Sequence, residues 1–294
     1  AGTSGPKTLT APAAFDGVVP AAGAARHRIH LGAGERLTVD LWARRLGSPL
    51  DPVVRVTDSR GRALQALDDT PGLDGDVLLS LLVPREDDYT VTVADVSRRG
   101  GETYRYRLRL AHFVPLTSSY PIFVRRGRAT TVQLLGPTSA SEFPSVRVPA
   151  AAEAGTVWVS GPAGAGGGSP LVPVRVAEGE EMIEAEPNDD PSRAAVIDVG
   201  SRVNGFLQRA GDRDWYRFSV RKGQRLRIIG QTTSLGLPGR LYLRLCDAEG
   251  AKLAEASQDT APQRVLDYTV AADADVRLLV EDLARRGGPG YAYH

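Results

Sequence analysis

One cysteine, Cys246, stands in 294 residues, which excludes an internal disulfide and a cysteine metal cluster alike. Histidine is nearly as scarce: His27, His30, His112 and His294 are the whole supply, and none stands in an H-E-x-x-H arrangement. On the Arg26–Leu31 segment His27 and His30 have opposite parity, so they point to opposite faces of a strand and cannot share a metal. There is no G-x-S-x-G nucleophile elbow. Gly161 to Ser169 is glycine-rich, but no Gly-Lys-Ser/Thr follows, so it reads as a hairpin loop and not as a phosphate cradle. Paired carboxylates for glycoside hydrolysis find no pattern to single them out, and surface charge accounts for Asp and Glu at large. The chain reads as no enzyme.

Charge of one sign is also missing. Thirty-six basic residues against 35 acidic ones leave a net charge of +1, so no overall field recruits nucleic acid. No apolar run approaches the roughly 18 residues that span a membrane as a helix, which argues against membrane insertion. Ala1 to Thr10 lacks the charged and apolar regions of a signal peptide; the expectation is that any such segment is removed or lies outside this sequence. Aromatic residues make up only 6%, with Trp42, Trp158 and Trp215 far apart, so no broad aromatic binding strip is on offer.

What is present is a repeat. A shift of 189 aligns Gly34, Arg36, Leu37, Leu46, Gly47 and Pro49 with Gly223, Arg225, Leu226, Leu235, Gly236 and Pro238, and Arg55, Asp58, Gly61 and Leu64 with Arg244, Asp247, Gly250 and Leu253, without a gap. A shift of 187 aligns Asp95, Arg98, Arg99, Gly100, Gly101, Tyr104 and Tyr106 with Asp282, Arg285, Arg286, Gly287, Gly288, Tyr291 and Tyr293. The sequence thus writes one module twice.

Each copy alternates apolar and polar residues over short segments. In the first, Arg26–Leu31, Arg36–Leu41, Val53–Thr57, Val77–Val83 and Tyr89–Ala94 read as strands, punctuated by Gly34, Pro52, Gly61 and Pro84. The last strand places Tyr104, Tyr106, Leu108 and Leu110 on one face and Arg105, Arg107 and Arg109 on a wet one. The second copy places Tyr216, Phe218 and Val220 inward, followed by Leu226 and Ile228 and the Leu241–Leu245 strand. There Cys246 has the parity opposite to the leucines and reads as a strand residue without chemistry. The final strand of this copy stops at His294 where the first runs on to Leu110, which implies a natural protein that continues or a frayed end.

Between the copies, strands are expected over Ala129–Leu135, Ser145–Val148, Thr156–Val159 and Leu171–Val176. The fold class is therefore all-β: two jelly-roll-like antiparallel β-sandwiches flanking a smaller β domain. The expected domains are 1–111, 112–180 and 181–294.

The acidic stretch Glu184-Ala185-Glu186-Pro187-Asn188-Asp189-Asp190, read with Gly211-Asp212-Arg213-Asp214-Trp215-Tyr216, carries the chemistry. Its oxygen ligands, with no cysteine or histidine near them, suit a hard cation, calcium before zinc. A solvated acidic linker is the other reading of the same residues. Asp68, Asp69, Asp74 and Asp76 form a second acidic group, which a turn-rich loop explains. Trp215 lies out of phase with Tyr216 and Phe218, as a platform for stacking a ligand or as a shield over the acidic cluster.

The E-x-E-P-N-D run followed by G-D-x-D-W-Y resembles the bacterial pre-peptidase C-terminal domain over Glu184 to His294. That family comprises β-sandwich modules appended to secreted proteases and includes the collagen-binding modules of bacterial collagenases. The resemblance implies calcium held by Glu184, Glu186, Asn188, Asp189, Asp212 and Asp214, where the linker meets the sandwich. In the first copy the counterpart of Gly211–Asp214 is Gly23-Ala24-Ala25-Arg26, so calcium is expected in the second copy alone. The middle segment is similar, through its strand and turn punctuation, to immunoglobulin-like transcription-factor-type modules of bacterial surface proteins. Together these imply a secreted, periplasmic or cell-surface accessory region. It either binds an extracellular polymer, collagen-like protein or polysaccharide, or serves as a spacer or folding aid for a neighbouring catalytic domain, a peptidase included.

Overall fold

The computed structural model describes residues 8–21, 23–70, 73–136, 144–161, 171–256, 263–288 and 290–294; the glycine-rich stretch after Gly161 lies outside them. The chain forms two compact units, one reaching Pro115 and the other built of Leu116–Gly161 with Leu171–His294. Among the described residues no α-helix occurs, and nothing is long and apolar enough to cross a membrane as a helix.

The first unit runs through β1 (Thr8–Leu9), β2 (Ala13–Val18), β3 (Ala25–Leu31), β4 (Arg36–Trp42), β5 (Pro52–Thr57), β6 (Ala63–Leu67), β7 (Val77–Leu82), β8 (Asp87–Asp95) and β9 (Arg105–Ala111). Two sheets result, ordered β1-β3-β8-β5-β6 and β2-β9-β4-β7, all pairs antiparallel except the parallel β1–β3 edge. Alternation drives the layering. Tyr89, Val91 and Val93 of β8 and Leu108 and Leu110 of β9 are fully buried in one core, and Thr90 and Thr92 turn outward. Each such leucine withdrawn from water contributes about 2 kcal/mol. The outward arginines of β9 pair with acids across the sheet: Arg107 with Asp16 and Arg109 with Asp40.

The second unit opens with β10 (Ser118–Tyr120), β11 (Phe123–Arg125), β12 (Thr130–Leu135), β13 (Ser145–Val148), β14 (Gly155–Ser160) and β15 (Leu171–Ala177). They form two three-stranded sheets, β10-β12-β13 and β11-β15-β14. Then follow β16 (Met182–Ile183), β17 (Ala195–Val196), β18 (Val203–Phe206), β19 (Asp214–Val220), β20 (Arg225–Gln231), β21 (Leu241–Cys246), β22 (Lys252–Ala256), β23 (Gln263–Thr269), β24 (Ala274–Asp282) and β25 (Ala292–Tyr293). Their five-stranded sheet, β17-β19-β24-β21-β22, has the strand order of β1-β3-β8-β5-β6, down to the parallel first pair. It faces β20-β23 and β16-β18-β25 across a leucine-rich core. The middle segment lies in the same compact unit. Fully buried Asn204 accepts from the backbone N–H of Ile122 and Phe123, at 2.9 and 2.8 Å, and donates to Phe123 O and Met182 O.

The repeated residues are turn machinery. Asp95 Oδ1 accepts from Ser97 N and Arg99 N, and Asp282 Oδ1 from Ala284 N and Arg286 N. Asp58 and Asp247 each cap a tight turn in the same way, through the N–H groups two and four residues on. In the second acidic group, Asp76 is fully buried and caps the 3-10 turn Arg44–Leu46, accepting from Ala43 N and Arg44 N and pairing with Arg45.

Candidate metal centre

The acidic stretch is threaded along two strands of the second sandwich. β16 runs parallel to β18, and beyond it Glu184 N donates to Asn204 O. Asn188 O then accepts from Trp215 N at 3.0 Å, Asp190 caps the Pro191–Arg193 turn through Ser192, and β17 runs parallel to β19. Backbone pairing at both ends therefore lays the linker across the start of β19.

One oxygen from each of Glu184, Glu186 and Asp214 falls within 4.8 Å of the others. Asp214 is fully buried, and so is Asn188. Asp214 Oδ1 and both polar atoms of the Asn188 amide have no hydrogen-bond partner in the chain, although buried polar atoms nearly always find one. Asp212, 1% exposed, accepts from Gln208 N through Oδ2, while Oδ1 accepts no hydrogen bond, lies 3.6 Å from Arg209 Nη2 and faces the Asp189 carboxylate. Asp189 is otherwise engaged, 2.7 Å from Arg209 Nη2. The structure thus brings Glu184, Glu186 and Asp214 together, buries Asn188 and Asp212 alongside, and ties Asp189 into an ion pair.

Two groups that sequence reasoning did not assign to the site complete it. Tyr293 OH lies 2.6 Å from Asp214 Oδ2, 2.7 Å from Tyr216 OH and 3.0 Å from Glu184 Oε2, and Tyr216 OH also lies 3.0 Å from Glu184 Oε2. Two hydroxyls own two protons, too few for four contacts. Tyr293 was visible only as the repeat partner of Tyr106, and nothing in its local sequence ties it to carboxylates some 80 to 110 residues away.

The electrostatics agree with a shortage of positive charge. Burial, then the Glu184 carboxylate, pushes Asp214 from 3.8 up to about 9. Burial pushes Glu184 from 4.5 up to about 7 against the hydrogen bonds it receives from Phe206 N, Tyr293 and Tyr216. Asp212 is raised by burial, whereas contact with Asp212 and then Arg209 lowers Asp189. Without a counterion such a cluster must hold protons at neutral pH. Its donors are all oxygens, so the residues fit a hard metal ion, held by Glu184, Glu186 and Asp214 with Asn188 and Asp212 at hand.

In the first unit the same strand position offers no acid. Strand pairing puts Ala25 and His27 of β3 where Asp214 and Tyr216 stand in β19, which corrects by one residue the alignment expected from the sequence and sets Gly23 against Asp212. His27 Nε2 meets Tyr106 OH at 2.7 Å, and burial lowers its pKa, so the pair is satisfied while neutral.

Trp215 is 5% exposed and packs with Ala194, Cys246 and Leu279 on the outer side of the five-stranded sheet. So buried, Trp215 offers no exposed stacking platform, one of the two roles expected of it. Of the three tryptophans, Trp158 on β14 is the exposed one, at 60%, opposite Pro173 of β15.

The fold and site define an all-β sandwich protein with a buried carboxylate cluster able to take a metal ion. No family profile matches the chain, and no curated protein matches it. Among solved structures it is similar to the pre-peptidase C-terminal domain of a collagenase from Bacillus anthracis, at TM-score 0.28 and 6% identity over 37% of this chain and 99% of that one. It is similar also to PliG of Aeromonas hydrophila, a periplasmic inhibitor of g-type lysozyme, at TM-score 0.24 and 18% identity over 36% of this chain and 99% of that one. A structure from Clostridium perfringens ZmpB, an M60 catalytic domain with two CBM51 domains, matches at TM-score 0.23 and 10% identity over 92% of this chain and 32% of that one.

Proposed function

We propose that this chain is a non-catalytic accessory region of a secreted or cell-envelope bacterial protein, holding an extracellular polymer through modules of which the second is stapled by calcium. The observation that carries the reading is a pair of buried oxygens without hydrogen-bond donors, Asp214 Oδ1 and Asn188 Oδ1, beside the converging Glu184 and Glu186. The sandwich is written twice, and only the second copy keeps the acids. Calcium neutralises the carboxylates and cross-links the linker 180–191 to the start of β19. That fixes the linker's path relative to the sandwich it enters. An affinity on the order of 10⁻⁴ to 10⁻³ M suffices outside a cell.

Thermal unfolding of the whole chain tests the staple. At about 10 mM calcium, some 10 to 100 times that dissociation constant, binding contributes about 1–3 kcal/mol, a rise of several degrees in one transition. The Asp212→Ala, Asp214→Ala double variant is expected to show no calcium response. Equal melting of the native chain in calcium and in chelator would reduce the acidic run to a linker.

Polymer holding is assigned to the middle segment, where Trp158 presents an exposed ring for stacking. Co-sedimentation with insoluble collagen and with insoluble polysaccharide is expected to retain the chain, and Trp158→Ala to release it. The buried Trp215 favours a second reading, a spacer for a neighbouring peptidase domain. Under that reading neither polymer retains the chain and Trp158→Ala changes nothing.

A further inference from the structure

The five-stranded sheet of the second sandwich carries an open pocket of ≈ 340 Å³ on its outer face, with Arg213, Tyr242, Arg244, Leu279, Glu281 and Arg285 in its lining. Strand pairing assembles it. Tyr242 stands beside Glu281 and Arg244 beside Leu279 across β21 and β24, Arg213 precedes β19, and Arg285 lies on the turn that Asp282 caps after β24.

Much of the positive charge here has no counterpart in the chain. Arg213 pairs with Glu281, Nε to Oε2 at 3.3 Å. Arg244 and Arg285 pair with no acid among the described residues, and Arg244 Nε is buried without an acceptor. Glu255 lies across the strand pair from Arg244, but it accepts from the Tyr242 hydroxyl at 2.7 Å and from Lys252 at 2.8 Å. Three guanidinium groups and one carboxylate leave the pocket a net charge of +2. A buried cationic donor without an acceptor is costly, and a guanidinium meets a ligand carboxylate through two parallel N–H groups.

The other lining groups select among anions. Glu281 has an Oε1 with no donor among the described residues. It repels a phosphate dianion, yet it accepts from a hydroxyl of a ligand that carries one carboxylate and several hydroxyls. The Tyr242 hydroxyl is engaged with Glu255, so Tyr242 offers the pocket ring surface beside Leu279. An extended peptide finds no backbone partner on this face, because β24 is hydrogen-bonded to β19 on one side and to β21 on the other.

We propose that this pocket binds an acidic sugar, a uronic acid, with its carboxylate on Arg244 and Arg285 and a hydroxyl on Glu281. The proposal rests on the function proposed above only in that the sugar belongs to the extracellular polymer; the site is distinct from Trp158. The first sandwich is the comparison. There Arg55 and Arg98 stand at the places of Arg244 and Arg285, but Ala24, Val53 and Ala94 stand at those of Arg213, Tyr242 and Glu281. Two arginines remain without the ring or the hydroxyl acceptor, so one site per chain is expected.

Calorimetric titration of the full chain tests this, with galacturonate, galactose, acetate, phosphate, poly-L-glutamate and polygalacturonate as probes. Galacturonate is expected to bind one site, at least tenfold more tightly than galactose or acetate. Arg244→Gln and Arg285→Gln should each weaken it by about tenfold. Arg285 is exposed, so its variant should melt with the native chain. Glu281→Ala should bring galacturonate and acetate to equal affinity, which a merely structural role would not do. Competition by polygalacturonate assigns the pocket to a sugar within a chain; galacturonate bound and polygalacturonate excluded assigns it to the free sugar. Phosphate or poly-L-glutamate binding more tightly than galacturonate overturns the proposal, and so does galacturonate affinity unchanged in both arginine variants. Galacturonate binding needs neither Trp158 nor calcium, so failure here and failure of the proposed function show in different measurements.

Discussion

Asp214→Asn is expected to raise the melting temperature of the second sandwich in chelator at pH 8 and to lower it in millimolar calcium. The two signs have one cause. Asp214 is fully buried, and burial together with Glu184 lifts its pKa from 3.8 to about 9, while Glu184 rises from 4.5 to about 7. A carboxyl whose folded pKa exceeds its unfolded value favours folding while it is protonated. That contribution is fully present below about pH 4 and is lost as pH climbs through about 7 and then about 9. In chelator the native second sandwich should therefore weaken steadily from acid to mild alkali. Asparagine keeps an oxygen for the Tyr293 hydroxyl, which lies 2.6 Å from Asp214 Oδ2, and carries no charge to bury. The gain at pH 8 is on the order of 2 kcal/mol, roughly 5–10 °C. In calcium the balance reverses, because the ion binds the ionised carboxylates and its affinity grows with pH as protons leave. The neutral variant loses a ligand and most of that stabilisation. Calorimetry across pH 5 to 9, with and without calcium, checks both signs. A variant that is less stable than the native chain in both media would show that Asp214 serves packing alone.

How far this was legible in the sequence depended on how local each relation is. Glu184, Glu186 and Asn188 lie within five residues, and Asp212 and Asp214 within three, so their shared oxygen chemistry was readable. That Asp189 turns aside to Arg209 was not, because the ion pair depends on where the loop before β19 folds back. Trp215 misled for a physical reason. Its parity does place it opposite Tyr216, as alternation predicts, and the outer face of an antiparallel sheet is usually wet. Here Ala194, carried over that face by the linker, joins Cys246 and Leu279 in covering it, and alternation says nothing of a lid. The strands with strong alternation, β3, β8 and β9, were readable almost to their ends. β2, with Ala13, Ala14 and Gly17 in six residues, was not, since its place is fixed by pairing with β9 and not by its own side chains.

Gly287→Ala and Gly100→Ala are expected to be among the most damaging single substitutions in the chain, each in its own sandwich. A methyl group on Gly287 would lie 2.0 Å from Arg209 O and 2.5 Å from its carbonyl carbon; on Gly100 it would lie 2.1 Å from Pro20 O. These are backbone atoms, which cannot rotate aside as a side chain does. The close approach is built by the turn before each glycine. Arg98 and Arg285 adopt left-handed φ values of 60° and 55°, and Asp95 and Asp282 gather the N–H groups of that turn. The glycine after the turn then lies against the neighbouring loop, where Gly101 N donates to Val19 O and Gly288 N to Leu207 O. Pushing the two backbones apart costs about 2–4 kcal/mol, enough to lower the affected transition by roughly 10 °C or more. The partners of the two loops set the variants apart. Arg209 O accepts from Asp212 N, and Arg209 Nη2 holds Asp189 2.7 Å away, so displacing this loop moves the acidic cluster. Gly287→Ala should therefore lower the second transition and weaken its calcium response by tenfold or more. Gly100→Ala should lower the first transition and leave the calcium response intact. If both substitutions shift the same transition, or if Gly287→Ala leaves calcium affinity unchanged, the coupling drawn here between the repeated Asp-x-x-Arg-Arg-Gly-Gly turn and the metal centre is wrong.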